Sequence, residues 1–399
     1  MLPQVTIQIQ NGRLGQVGAN EDGVCGLILQ GTASGGVVLD TPYTFFSLAD
    51  AETQGITAAY DTANTVRAWK AIKEFYAESG TGTELQVMVL AQTETYVTMF
   101  TVGAVLTKIQ NFLLAANGRI KLLGLTRLPL AAYTATITNG INAEISTVAP
   151  LVKAFGDVLV GLYSPVRFIF EGRDVVFASN ATAVLDLKTL ACPYMAVVVG
   201  DTIAPSVGAA IGLVLGRLAK SPVQRNLGRV RDGAVATTAV YFGTATVKPE
   251  NSLGLVSALD GKGFVTFRKH IGRANYFFTD DPTATAVTDD YNKIARGRVI
   301  DKATRLAYQT YLDYLQDEIL INPTNGNIEA ATAKGYQAAI ERAINVTMTA
   351  NSEISGVRAV VDPAQNVLST NKICVDLFIT PLGYAREICV KLGFENPSV

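Results

Sequence analysis

Histidine is nearly missing from this sequence. His270 is the only one in 399 residues, which removes Ser-His-Asp and Cys-His catalysis unless His270 itself is the base. It follows a strand pattern in the string FRKH at 267–270, with no nucleophile motif to serve, so it reads as a structural or exposed side chain. Cysteine is sparse and scattered. Cys25, Cys192, Cys374 and Cys389 form no CxxC pair and have no histidine at ligand spacing, which argues against a zinc site. Reduced thiols are expected, although Cys374 and Cys389 fall in neighbouring strand patterns. Charge is scarce as well. Asp, Glu, Lys and Arg make up 17% of the chain with a net charge of −1, against roughly 25% charged residues in soluble proteins. Such a chain offers no field to draw in nucleic acid or an anionic membrane. Its densest basic stretch, Lys220 to Arg231, has no interleaved aromatics and reads as a solvated loop.

Phosphate-binding glycine loops are also missing. No GxxxxGK[ST] string occurs, and Gly80 and Gly82 precede a strand pattern instead of following one, the reverse of a dinucleotide fingerprint. No cofactor or metal is expected. Glu171 and Asp174 follow one strand pattern and Asp201 another. α/β enzymes place acids there, but so do helix N-caps, and capping is the favoured reading. A cytoplasmic α/β enzyme using Asp201 or Glu171 is kept as the alternative function, and a non-contractile tube or shell subunit as a third. Residues 1–20 lack an apolar signal core, so folding in a reducing cytoplasm is expected. Residues 205–216 are uncharged and carry Gly208, Gly212 and Gly216 at small-xxx-small spacing. A bilayer span needs about 20 apolar residues, and Asp201 and Arg217 bracket this stretch too closely. It reads as a core helix whose glycine face admits a close neighbour, and no membrane span is expected.

What the chain does have is apolar surface: 49% of its residues are hydrophobic. That supports either a large core or extensive burial between subunits. Repeated strand and helix patterns imply a mostly parallel α/β sheet covered by helices. Strands are predicted at 24–29, 37–39, 84–91, 119–126, 166–172 and 194–200. Helices are predicted at 61–79, 102–117, 142–156, 182–190 and 207–218. Beyond Asp232 come a strand at 263–268, a long helix at 289–320, a second helix at 330–348, and strands at 356–361 and 372–380.

Both ends of the chain read as strands without a nearby partner. Val5, Ile7 and Ile9 alternate with polar residues, the period-two pattern of a half-buried strand. A polar, glycine-bearing tether, Asn11 to Asp22, separates them from the body. At the other end Ile388, Val390, Leu392 and Phe394 share one face of a predicted strand over 384–394. The natural partner of such a tethered strand is a sheet edge, including one in another copy.

Several segments together resemble the contractile tail sheath proteins of phage tails and related injection particles. The string GVCGLILQG at 23–31 is similar to their first strand, and LADA at 48–51 leads, as there, through Gly55 to IKEFY at 72–76 and Gly80. NYFF at 275–278 before IARGRVID at 294–301 resembles the start of the family's inner domain. Lys220 to Asn226 replaces a more regular family element, which marks a divergent branch. The resemblance implies an α/β (α+β) architecture divided into an N-terminal arm at 1–22, an α/β region at 23–232, an inner domain at 233–383 and a C-terminal arm at 384–399. It also implies a non-enzymatic helical homopolymer with strand exchange around an inner tail tube, with baseplate and tail terminator partners. Such a subunit is assembled in the bacterial cytoplasm and resides in a tail or injection particle. A tube contact through the second long helix would use Glu341 and Arg342, expected to be exposed.

Overall fold

The computed structural model describes residues 21–103, 106–177, 183–243 and 247–394. The chain divides into two compact units, Met1–Gln309 and Thr310–Val399. The first is built on a six-stranded sheet of β1 (Cys25–Gly31), β2 (Pro42–Phe45), β3 (Leu85–Ala91), β4 (Leu122–Leu125), β5 (Arg167–Glu171) and β6 (Met195–Val198). Their spatial order is β2-β3-β1-β4-β5-β6, parallel throughout except for the antiparallel edge strand β2. β1 is buried along its whole length, as expected of a parallel strand covered on both faces. Alternate residues feed two cores. Ile28, Met88, Leu123, Phe168 and Val197 face one way, with Phe112 and Val152 from α2 (Lys108–Ala115) and α3 (Glu144–Gly161). Leu27, Leu29, Val87, Ile169 and Val198 face the other way, with Ile72 and Leu215 from α1 (Ala68–Ser79) and α4 (Ile211–Lys220). The predicted mostly parallel α/β region is therefore present.

Several boundaries differ from the sequence expectation. The single helix expected over 61–79 is two helices, because Thr65 takes a left-handed conformation with φ 53°. The Asp61 carboxylate then accepts the amides of Trp69 and Lys70, each at 3.0 Å, and so caps a new helix, α1. No strand forms at 37–39; the edge strand comes later, as β2. The helix expected at 182–190 contracts to one 3₁₀ turn, Leu187–Thr189, within the described part of that segment. Of the strand expected at 263–268, only Phe267–Arg268 forms a strand, paired with Phe277–Phe278, while Val265 makes an isolated parallel bridge to Val198 of β6. The first long helix, α5 (Ile294–Leu312), is shorter at both ends than expected.

The glycines near 210 act as close-packing positions. A Cβ at Gly212 would lie 2.8 Å from Glu74 Cβ and against the Ala71 carbonyl, and one at Gly216 would meet the Phe75 carbonyl at 2.6 Å. α4 thus packs backbone to backbone on α1. Among the described residues no helix is long and apolar enough to cross a membrane.

The second unit contains α6 (Ala330–Ile344), β7 (Gly356–Val360) and β8 (Asp376–Thr380). The glycine analysis predicts opposite outcomes at two helical positions. Gly212→Val should lose roughly 1–3 kcal/mol through overpacking. Gly335→Ala, in α6 with nothing within 4 Å of the added carbon, should gain roughly 0.5–1 kcal/mol. Urea unfolding followed by circular dichroism checks both; a neutral Gly212→Val would refute the close-packing account.

Candidate assembly surfaces

α6 buries Ala333, Tyr336, Ile340 and Ile344 along one stripe, which is why the sequence makes a helix there. One cluster beneath it buries Ile328, Ala333, Tyr336, Val361 and Val367, while Tyr311, Ile319, Ile321, Ile373 and Val375 are only partly covered. Ile340, Ile344, Met348 and Ile354 are buried as well. β7 and β8 form an isolated antiparallel pair in the register Val357↔Ile379 and Ala359↔Leu377. The Ala359 amide donates to Glu341 Oε1 at 2.7 Å, so it points away from the ladder. Antiparallel alternation then turns the peptide groups of Leu377 and Ile379 outward on the far side of β8. Among the described residues β8 has no second neighbour, so this side is an open edge.

Glu341 is therefore half-buried and holds β7, against the expectation that it is exposed. Arg342 is exposed. The C-terminal stripe is fully outside: Ile388 and Val390 are 79% exposed, Leu392 96% and Phe394 109%. Residues 381–394 form no ladder among the described residues, so the strand expected at 384–394 is not formed there. Val5, Ile7 and Ile9 lie outside the described residues. Of the cysteines, Cys374 and Cys389 are exposed while Cys25 and Cys192 are buried.

The point where the N-terminal segment meets the body is tied to α5. Asp22 bridges Lys302 and Arg305, each at 2.8 Å, and its carbonyl accepts from Arg298 Nη2 at 3.2 Å. The three cations recur at i, i+4 and i+7 on one helix face. Burial works against the Asp22 charge, but Lys302 and Arg305 outweigh it and hold the carboxyl below its ordinary pKa.

The strand-end carboxylates weighed as catalytic are already committed. Asp201 meets Lys70 at 2.6 Å and Arg67 at 3.1 Å and accepts the Ser206 hydroxyl. Burial opposes its charge, yet Lys70, Ser206 and Arg67 keep its pKa below the ordinary value. Glu171 accepts the amides of Arg127 at 2.8 Å and Ala209 at 3.0 Å, while burial raises its pKa. The crevice that Glu171 lines with Arg67 and Lys70 leaves about 20 Å³, room for about one water, far below the roughly 300 Å³ of a small-molecule site. His270 lies edge-on to Phe277 at 5.1 Å, and burial followed by Arg268 and Arg273 lowers its pKa. Sequence reasoning missed two buried pairs, Arg167–Asp301 at 2.6 Å and Arg217–Glu78. Each joins residues more than a hundred positions apart, and no local pattern announces them.

Residues 2–282 match the DUF2586 N-terminal domain and residues 290–399 the DUF2586 C-terminal domain. The chain belongs to the DUF2586 family. No curated protein matches the sequence. Among solved structures, this DUF2586 chain is similar to one from the anti-feeding prophage (AFP) baseplate. TM-score is 0.62 and identity 15%, with 99% of each chain covered. A chain of the AFP helical sheath in the contracted state matches at TM-score 0.60 and 15% identity over 98% and 99% of the two chains. The PVC sheath complex of an extracellular contractile injection system, also contracted, matches at 0.59 and 12% over 98% and 97%. The fold is thus that of contractile sheath proteins.

In this DUF2586 chain the Asp22 clamp has a pH signature. A carboxyl held below its ordinary 3.8 contributes stability above that value, and the contribution disappears as pH falls through the lower folded value. Asp22→Asn should therefore unfold at lower urea than wild type at pH 7, with the gap closing below about pH 4. A gap independent of pH would contradict the clamp.

Proposed function

We propose that the chain is the subunit of a contractile sheath that polymerises helically around an inner tube and shortens to drive the tube through a target envelope. The observation that carries this reading is an uncovered apolar strand stripe, Ile388 to Phe394, on a chain that also presents the open edge of β8. Its setting is a fold that matches contracted-sheath and baseplate chains over nearly their whole length. The stripe and the edge complement each other. A donated strand satisfies outward amides and carbonyls by main-chain bonds while its side chains cover partly exposed apolar residues. Donation from each copy to the next does not close on itself and therefore yields a helical polymer.

In this reading the arms at 1–22 and 384–399, with Val5, Ile7 and Ile9 and with Ile388, Val390, Leu392 and Phe394, stitch neighbouring copies. The α/β region at 23–232 and the inner domain at 233–383 form the body between them. Arg342, beside the anchored Glu341 on α6, faces the inner tube. Baseplate and terminator proteins cap the polymer, which is assembled in the bacterial cytoplasm and resides in a tail or injection particle. The role is structural, and the ion pairs and backbone hydrogen bonds that already engage Asp201 and Glu171 support that over an enzymatic one.

Negative-stain microscopy of purified full-length protein tests the proposal. Tubes or rings are expected, and truncation after Gly383 or the single change Val390→Asp should abolish them while circular dichroism stays unchanged. A protein that remains monomeric at high concentration, or tubes indifferent to both changes, would sink it.

A further inference from the structure

The hairpin around His270 is left unused by the strand-exchange reading. Its base is fixed in the core: Phe267 and Phe278 are buried with rings 5.0 Å apart, and the buried Tyr276 donates its hydroxyl to Glu250 at 2.9 Å. Its tip, residues 268–273 (RKHIGR), carries three permanent cations and no acid. At its centre Ile271 is 103% exposed. Among the described residues neither the Arg268 nor the Arg273 guanidinium has a hydrogen-bond or ion-pair partner. Lys269 is only loosely engaged, 3.9 Å from Glu250 and above the Tyr276 ring. A rigid support thus presents an apolar knob inside a basic ring.

The complementary surface exists on the same chain. Residues 312–320 (LDYLQDEIL) carry three acids and no cation. Leu312, Leu315 and Leu320 are 46%, 66% and 71% exposed. Asp313 and Glu318 have no ion pair among the described residues, and Asp317 accepts only the Glu318 amide. The charges are opposite in sign and equal in number, three against three, around exposed leucines that suit Ile271.

We propose that the 268–273 tip docks onto the 312–320 stretch of a second copy of this chain. The two surfaces differ, so the contact is heterologous and propagates from copy to copy. Opposed charges raise the rate of encounter and reject mismatched approaches, while the fixed hairpin base limits the entropy lost on docking. The contact rests on the polymer reading above but is independent of which strand edge receives an arm.

A charge swap in full-length protein tests it. Arg268→Glu with Arg273→Glu, and separately Asp313→Lys with Glu318→Lys, should each weaken self-association at least about tenfold by sedimentation velocity. All four changes in one chain should restore it to within about threefold of wild type. Wild-type association should also weaken as salt rises from about 0.05 to 0.5 M. All positions are exposed, and circular dichroism confirms folding; Ile271→Asp provides a variant that leaves the arginines in place and should weaken association too. Reversals without effect, or a combined chain that does not recover, overturn the contact. If tubes form normally in that case, the sheath reading stands and only this contact falls. A wild-type chain that never self-associates overturns both.

Discussion

A charge taken out of water must meet a partner or forfeit several kcal/mol, and that requirement organises the first unit. Arg167 leaves the middle of the sheet and grips Asp301 of α5 through two bonds of 2.6 Å, with both side chains almost wholly buried. The grip is possible only because residue 297 is glycine: a Cβ there would lie 2.5 Å from the guanidinium carbon. One turn along, Arg298 of the same helix donates to the carbonyls of Asp22 and Ser221, and Lys302 and Arg305 hold the Asp22 carboxylate. The sheet thus fixes a helix, and the helix fixes the place where the N-terminal segment departs. Tension on that segment would reach β5 through ion pairs rather than through loops.

The second unit follows the opposite course. Its polar backbone along β8 is left facing outward, and the apolar residues Tyr311, Ile319, Ile321, Ile373 and Val375 are only partly covered. An isolated two-stranded sheet is marginal in water. Each main-chain bond made with an added strand contributes roughly 0.5–1.5 kcal/mol, and covering Ile388, Val390, Leu392 and Phe394 adds roughly 1.5–3 kcal/mol for each side chain. Association cost offsets part of this, yet the balance favours a partner strand. Glu341 sharpens the choice of edge. By accepting the Ala359 amide on β7 from the helix side, it leaves β8 as the more accessible edge of the pair.

The sheet was legible because parallel strands buried on both faces read as continuous apolar runs, as LILQG and FIFE do here. The glycine stripe at 208–216 was legible too, since a helix with no side chains on one face must admit a backbone. What escaped were features set by distant groups. Asp61 restarts a helix that periodicity alone would continue, and Glu341 is drawn inward by an amide eighteen residues further along. Arg167 and Asp301 find each other across 134 positions. Hydrophobic period reports which face is buried; it is silent on which polar atom will be satisfied by which.

The crevice at the carboxyl ends of the strands brings these points together. In doubly wound sheets it is the place where ligands bind, and here Arg67 and Lys70 pair with Asp201, Lys70 pairs also with Glu74, and Glu171 accepts the backbone amides of Arg127 and Ala209. An open crevice would let the helices on either side move independently, as enzymes that close over substrates require. A subunit that rotated as one piece within a polymer, as proposed above, would have the reverse need. The pairs that Arg67 and Lys70 make with Asp201 tie the start of α1 to the loop after β6, and the Glu171 bond to the Ala209 amide ties β5 to the residues that lead into α4. Each such bond replaces water around a buried carboxylate with a protein partner, and so exchanges solvation for a fixed position of the helix.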